Sequence, residues 1–262
     1  MQIELNIIPT NLLEQYVATF DLSIKKDFEN LNDSELSIDT FSFYTSVSAV
    51  FSSKIEGEPI ELDSYIKHKR FDIEYLPDYT RKIDDLYDAY LFAQKNVLNP
   101  KNIKLVHSQL SKHILKKSKQ GKVRISNMFV ITNDGKIEYV AASPEKVKPE
   151  MLRFYTDVDL LVNAHLSFEE TLFFASMLHL VFVKIHPFDD GNGRTARLLE
   201  KWFIAQKLGS NAWFVQSEKN YYDNHQTYYS NIRRLGLEYE ELNYDDAMPF
   251  LQMLPNAIRY KG

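Results

Sequence analysis

The most apolar stretch of the chain, from Leu172 to Val183, is interrupted only by Ser176 and His179. With its flanks it runs from Phe168 to Ile185, longer than an ordinary strand and shorter than the ~20 apolar residues of a membrane span. Ser167 followed three residues later by Glu170 is the pattern of a capping box, which opens a helix by satisfying its first amides. A buried central helix is therefore predicted over Phe168–Ile185, and the rest of the chain must supply the surfaces that cover it. Only 8 Gly and 9 Pro occur in 262 residues, too few for the repeated turns of an all-β protein, so the fold class expected is mainly α. One exception stands out. Residues 123–132 and 136–140 are extended in character around Asn133, Asp134 and Gly135, and an Asp-Gly step between two such runs predicts a β-hairpin.

Phe43, Val47, Val50 and Phe51 recur at helical spacing in a segment that stops at Gly57 with Pro59 beyond it, which predicts a helix ending near Glu56. Further helices are expected over 81–94, 101–116, 148–163, 194–208 and 221–235, with Gly209 and Gly236 as C-terminal stops. No repeat or low-complexity linker separates modules. The expected organisation is an N-terminal helical region over 1–98, a core over 99–236 and a helical tail over 237–262. The basic run 116–122 (KKSKQGK) reads as a solvated loop.

Composition narrows the function classes. Thirty-one Lys and Arg against 36 Asp and Glu leave a net charge of −5, which supplies no diffuse attraction to nucleic acid or to an anionic membrane, and neither is an expected partner. The absence of Cys excludes disulfides, thiolate metal sites and a cysteine nucleophile. The first residues, MQIELNIIPTNLLEQ, show no basic segment followed by an apolar one, so no signal peptide is expected and a cytoplasmic location is.

Chemistry concentrates in residues 186–197, HPFDDGNGRTAR, between the central helix and the next. Pro187 stops the first helix and leaves His186 at its C-terminal edge, where an imidazole can serve as a general base. Gly191, Asn192 and Gly193 can take backbone conformations closed to other residues, so their amides can form an anion cradle at a helix start. Arg194 and Arg197 lie three apart in the first turns of that helix, where positive charge opposes the helix dipole. Bound phosphate or a partnering carboxylate would offset that cost. Asp190 beside such a cradle is electrostatically misplaced unless a cation, most simply Mg²⁺, lies between acid and anion. Phe188 reads as a core anchor, and Leu198, Leu199, Trp202 and Phe203 as the packing face. GNGRTA also fits a loose dinucleotide fingerprint, but HPFDD intervenes where the glycines should follow a strand directly. His68, His107, His113, His165, His179 and His225 show no metal-pair spacing and are expected in core or surface roles.

HPFDDGNGRTAR resembles the full signature of the Fic family, H-P-F-x-D/E-G-N-G-R-x-x-R, with every fixed position present. The resemblance extends over most of residues 100–235. It implies a helical core with one hairpin flap, an N-terminal helical extension, and transfer of AMP from ATP to a hydroxyl of a target protein with release of pyrophosphate. It implies His186 as the base, Asp190 as the Mg²⁺ ligand, Gly191, Asn192 and Gly193 as the phosphate cradle continuing into Thr195, and Arg194 and Arg197 at the β- and γ-phosphates. Met128 from the flap, with Tyr228 and Tyr229 from the late helix, would line the adenine pocket. The flap, 123–140, would take the target protein as an added strand. Ser52-Ser53-Lys54-Ile55-Glu56-Gly57 also resembles the family's inhibitory motif S/T-x-x-x-E-G/N, which implies that Ser52 and Glu56 restrain the enzyme. Transfer of UMP or phosphate, removal of AMP, and a nucleotide-binding module without catalysis stay open beside this reading, as does a homo-oligomer.

Overall fold

A computed structural model describes residues 4–38, 41–73, 75–131 and 137–260. The N-terminal part holds α1 (Leu13–Ala18), α2 (Ser23–Glu29), α3 (Phe43–Ile55), α4 (Leu62–Phe71), α5 (Pro77–Lys95) and α6 (Pro100–Leu110). Strands β1 (Phe129–Ile131) and β2 (Ile137–Val140) form one antiparallel pair, with Phe129 opposite Val140 and Val130 opposite Tyr139. Then come α7 (Pro144–Asn163), α8 (Phe168–Ile185), α9 (Asn192–Leu208), α10 (Ser217–Asp223), α11 (His225–Arg233), α12 (Met248–Leu251) and α13 (Met253–Ile258). Among the described residues the fold is mainly α with one antiparallel strand pair, the class that the scarcity of Gly and Pro predicts. No helix among the described residues is long and apolar enough to cross a membrane.

Helix α8 is the axis of the core. Its capping box is complete, since Glu170 N–H donates to Ser167 Oγ at 3.2 Å and Ser167 N–H donates to Glu170 Oε2 at 2.7 Å. From Thr171 to Ile185 every side chain is buried, because α1, α7, α9, α12 and α13 all pack against this helix. Helix α9 returns along it, so the short loop 186–191 is held between two largely buried helices. Helix α3 lies across α5, α9 and α10 and brings its C-terminus to the start of α9.

Several elements depart from the periodicity. Helix α6 stops at Leu110 rather than near residue 116, because Asp85 of α5 takes both His113 N–H at 2.9 Å and His113 Nδ1 at 2.7 Å and pulls the chain out of helix. Helix α7 starts four residues before 148, since Pro144 sits in its first turn, where the missing N–H has no acceptor to lose. The helix expected over 221–235 is two, broken at Asn224, whose side-chain amide turns back onto the Asn220 carbonyl at 3.0 Å. The first strand starts at Phe129, not near residue 123. Arg124 accounts for that: its N–H donates to Pro187 O at 2.9 Å, which ties the segment to the 186–191 loop instead of to a sheet partner. The turn expected at Asn133, Asp134 and Gly135 lies outside the described residues.

Candidate active site

His186 ends α8 in the left-handed region, at φ 52° and ψ 60°, a conformation that a β-carbon disfavours. What holds it there is Arg124, a residue the sequence does not single out. Arg124 is buried, and its guanidinium donates to His186 O at 2.7 Å, Ile185 O at 3.1 Å, Ser126 O at 2.6 Å and Ala142 O. One cation thereby satisfies carbonyls left over at the end of α8 and anchors the root of the hairpin. His186 Nδ1 lies 3.2 Å from Val183 O and 3.2 Å from Tyr139 Oη. A carbonyl can only accept, so the proton is assigned to Nδ1 and the lone pair to Nε2. Burial first, then the charge of Arg124, push the imidazole down to about 4 against the pull of the Val183 carbonyl. The ring is therefore neutral at pH 7 and able to accept a proton.

The loop beyond it is built by side chains. Asn192 clasps both backbone groups of Phe188, accepting from its N–H at 2.9 Å and donating to its C=O at 2.9 Å. Phe188 is fully buried, as its reading as an anchor requires, and stacks on His107 with centroids 3.6 Å apart. His107 Nδ1 accepts from Gly121 N–H at 2.9 Å, so its Nε2–H donates to Asp190 O at 2.9 Å. His107 is thus a core histidine that supports the loop, a role with no signature in its spacing. Of the three residues expected in special backbone conformations, only Gly191 has one, at φ +78°. Asn192 and Gly193 are helical, and Gly193 is glycine for another reason: a Cβ there would collide with Glu56 Oε1 and lie 3.1 Å from Arg197 Nη1. Because α9 starts at Asn192, its first amides have no acceptor inside the helix and remain available to an anion. The Thr195 hydroxyl is committed to Gly191 O at 2.8 Å, within the helix turn. Asp190 is exposed at the loop's edge, where Oδ1 accepts from Gly191 N–H at 2.6 Å.

Both arginines are buried against carboxylates from the turn after α3. Arg197 donates to Ser52 Oγ at 2.8 Å, Ser52 O at 3.0 Å and Glu56 Oε1 at 2.5 Å, so the two residues of the 52–57 motif grip one guanidinium. Burial opposes the charge of Glu56, yet Arg197, then Arg194, hold its pKa below the usual carboxylate value. Burial likewise opposes Arg197, and Glu56 more than offsets it. Arg194 donates to Glu58 Oε1 at 2.9 Å, a partner that the sequence reading does not include.

Behind Arg197 runs a buried polar chain. Arg197 Nη1–H points to Tyr228 Oη at 3.4 Å, Tyr228 Oη meets His179 Nε2 at 2.9 Å, and His179 Nδ1 meets Glu200 Oε2 at 2.8 Å. Tyr228, expected in the adenine pocket, is instead 1% exposed and supports the arginine from within the core. Tyr229 does line an open cleft, a space of about 690 Å³ that also meets Gly57, Gln226 and Glu56, the partner of Arg197. That volume falls in the range of small-molecule sites. The hairpin lines it with Val130, Ile131 and Glu138, not with Met128, whose carbonyl accepts from Ala141 N–H at 3.1 Å. The Nε/Nη2 edge of Arg233 donates to both carboxylate oxygens of Glu138, with Nε–H to Oε2 at 2.7 Å, and so fastens the hairpin to α11 across the cleft.

Residues 97–204 match the family described as Fic/DOC. The matched span contains the whole of residues 186–197 and the surrounding helices α8 and α9 up to Ile204. A Nematostella vectensis protein named protein adenylyltransferase Fic is 30% identical over 134 residues, which span 51% of this chain and 26% of that protein. The match therefore covers about a quarter of that relative. Solved Fic structures share the fold over nearly all of this chain: a Fic family protein from Desulfovibrio desulfuricans G20 has a TM-score of 0.74 at 19% identity, covering 98% of this chain and 74% of its own. A Fic domain containing signaling protein from Bacteroides thetaiotaomicron has a TM-score of 0.65 at 17% identity, covering 95% and 92%. Fic-1 from C. elegans has 0.65 at 15% identity, covering 94% and 68%.

The two depressed histidines make the stability of the fold pH-dependent. Unfolded, His107 and His186 titrate near 6.5; folded, burial lowers both to about 4. Between those values the unfolded chain binds more protons, so stability is lost as pH falls through that window, by about 2 kcal/mol at pH 5 from the fully buried His107 alone. Thermal melts should show a lower midpoint at pH 5 than at pH 7. Equal midpoints would mean that His107 does not stay neutral in the fold.

Proposed function

We propose that this protein transfers AMP from ATP to a hydroxyl side chain of a target protein, and to its own chain, under restraint by Glu56. The observation that carries the reading is the grouping of a neutral His186, with an assigned lone pair on Nε2, beside two buried arginines at the free N-terminal end of α9. A base, anion donors and a cleft of nucleotide size are the parts that nucleotidyl transfer needs. In the proposed step the target oxygen attacks the α-phosphorus while the bond from that phosphorus to the oxygen bridging to the β-phosphate breaks. The hydroxyl proton passes to His186 Nε2, and pyrophosphate leaves with the electron pair. The α9 amides and the two arginines would hold the phosphate oxygens. The short β1 edge, with Phe129 and Ile131 about half exposed, is where an added strand of the target would lie, which supports the docking role proposed for the hairpin.

Incubation with α-labelled or γ-labelled ATP tests the reaction, using the parent chain and Glu56→Gly. Label on protein from the α form alone supports AMP transfer. Label from the γ form would point to phosphate transfer, and none from either to a nucleotide-binding module.

The residues present fit a nucleotide-borne Mg²⁺. No group of three or more His, Asp or Glu among the described residues could hold a metal by itself, but Mg²⁺ on phosphates needs only one or two carboxylates and keeps its waters. Asp190, exposed at the mouth of the cradle, is that carboxylate in our reading. Bound there, the ion would neutralise charge on the leaving pyrophosphate. Asp190→Ala is expected to abolish the Mg²⁺ dependence of ATP binding in calorimetric titrations. If Mg²⁺ strengthens binding equally in both proteins, Asp190 serves only to cap Gly191 N–H.

A further inference from the structure

Helix α3 closes in a two-bond turn that aims two carboxylates, not one, at α9. Glu58 N–H donates to Ser53 O at 3.2 Å and Gly57 N–H to Lys54 O at 3.0 Å, with Gly57 at φ +89°. Glu56 and Glu58 leave this turn on either side of the glycine and reach Arg197 and Arg194, which are three residues apart on one face of α9. The second pair is the more buried, with side chains 5% exposed for Arg194 and 4% for Glu58. It is also incomplete. A bidentate fork would use both carboxylate oxygens, yet only Glu58 Oε1 is engaged, while Glu58 Oε2 and Arg194 Nε are buried without a hydrogen-bond partner. Lys82, on α5, already lies 3.5 Å from the same Oε1 and is 29% exposed, so Glu58 has a second cation within reach.

Arg194 thus has a buried donor in reserve at a helix N-terminus, and its acid has a waiting replacement partner. We propose that Glu58 and Lys82 are positioning residues for Arg194: Glu58 holds the guanidinium away from an incoming phosphate, and Lys82 takes Glu58 over when Arg194 turns to that phosphate. This rests on the nucleotide reading of the cleft and adds to it a second carboxylate with its own release partner. A phosphate oxygen would supply the acceptor that Arg194 Nε lacks, and the Lys82 ammonium would keep Glu58 from being left as a lone buried charge.

The test is calorimetric binding of ATP, ADP and AMP, each with Mg²⁺, to the full chain carrying Glu56→Gly, then adding Glu58→Gln, Lys82→Met or both. Glu58→Gln should tighten ATP and ADP about tenfold, the equivalent of one competing charge-assisted hydrogen bond, and leave AMP unchanged. Lys82→Met should weaken ATP about threefold, as expected for a partly exposed ion pair, and that loss should vanish when Glu58→Gln is also present. A uniform change across all three nucleotides, or a Lys82 effect that persists without the Glu58 charge, would mean that the pair is merely structural. Lys82→Met leaves the Arg194 pair intact, so the proposal can still fail on it if Glu58→Gln does not fold. A Glu56→Gly parent that binds AMP as tightly as ATP removes the phosphate site itself, and the role of Glu58 with it. A parent that prefers ATP but ignores Glu58→Gln overturns the role of Glu58 alone.

Discussion

His186→Ala is expected to lose AMP transfer by about 10²–10⁴-fold, the usual contribution of a general base, while ATP affinity stays within about twofold of the parent. The split follows from where the ring stands. Its Nδ1 side is committed to Val183 O and Tyr139 Oη, and the face left for chemistry is Nε2, which has no role in holding phosphate. The backbone at this position is left-handed, and Asn tolerates that conformation better than Ala. His186→Asn is therefore the paired variant that keeps the loop while removing the base. Both should melt near the parent temperature and both should be inactive by α-label transfer in the Glu56→Gly background. Full transfer by either, in a folded protein that binds ATP, would remove His186 from the mechanism.

Glu56→Gly should raise AMP transfer at least about tenfold, since breaking a well-formed, partly buried ion pair is worth a few kcal/mol. Glu56 Oε1 sits 2.5 Å from Arg197 Nη2, where a phosphate oxygen would have to come. Glycine at the capping residue of α3 costs little, because the helix has already ended and Gly57 carries the turn. Arg197→Ala should not mimic it. On the proposed function that change removes the restraint and the phosphate ligand together, and it also leaves Tyr228 Oη and Ser52 Oγ without their buried donor, so its rate should stay below that of Glu56→Gly. An unchanged rate for Glu56→Gly at saturating ATP and Mg²⁺ would reduce the end of α3 to an ordinary helix terminus. If Glu58 still holds Arg194 in that variant, the gain should increase again with Glu58→Gln.

Much of this site could be read from the chain because it is local. The capping box at Ser167, the stop at Pro187, the glycine after Glu56 and the spacing of Arg194 and Arg197 each act within one or two turns, where sequence distance and spatial distance agree. The pairing of Ser52 and Glu56 with one partner was legible for the same reason: four residues apart on a helix, both face one way. The dipole argument required an anion at Arg194 and Arg197, and the fold supplies two carboxylates.

The identity of those partners was not legible in full. Glu58 is separated from Arg194 by 136 residues and lies just past a helix end, where no periodicity indicates a direction. Arg124, His107 and His179 each work through contacts that depend on how α6, α8 and the hairpin pack, and a buried Arg or His looks, in sequence, like any solvated one. Tyr228 shows the converse: helical spacing places two adjacent tyrosines on α11, but only packing against α8 decided that Tyr228 turns to the core and Tyr229 to the cleft. By itself, then, the sequence determined the central helix, the stops at Pro187 and Gly57 and the charge that the site must neutralise, because these follow from backbone chemistry over a few residues. The tertiary structure decided which distant side chains neutralise it, because burial makes each unpaired polar group costly, and only the packed fold determines which partner is near enough to remove that cost.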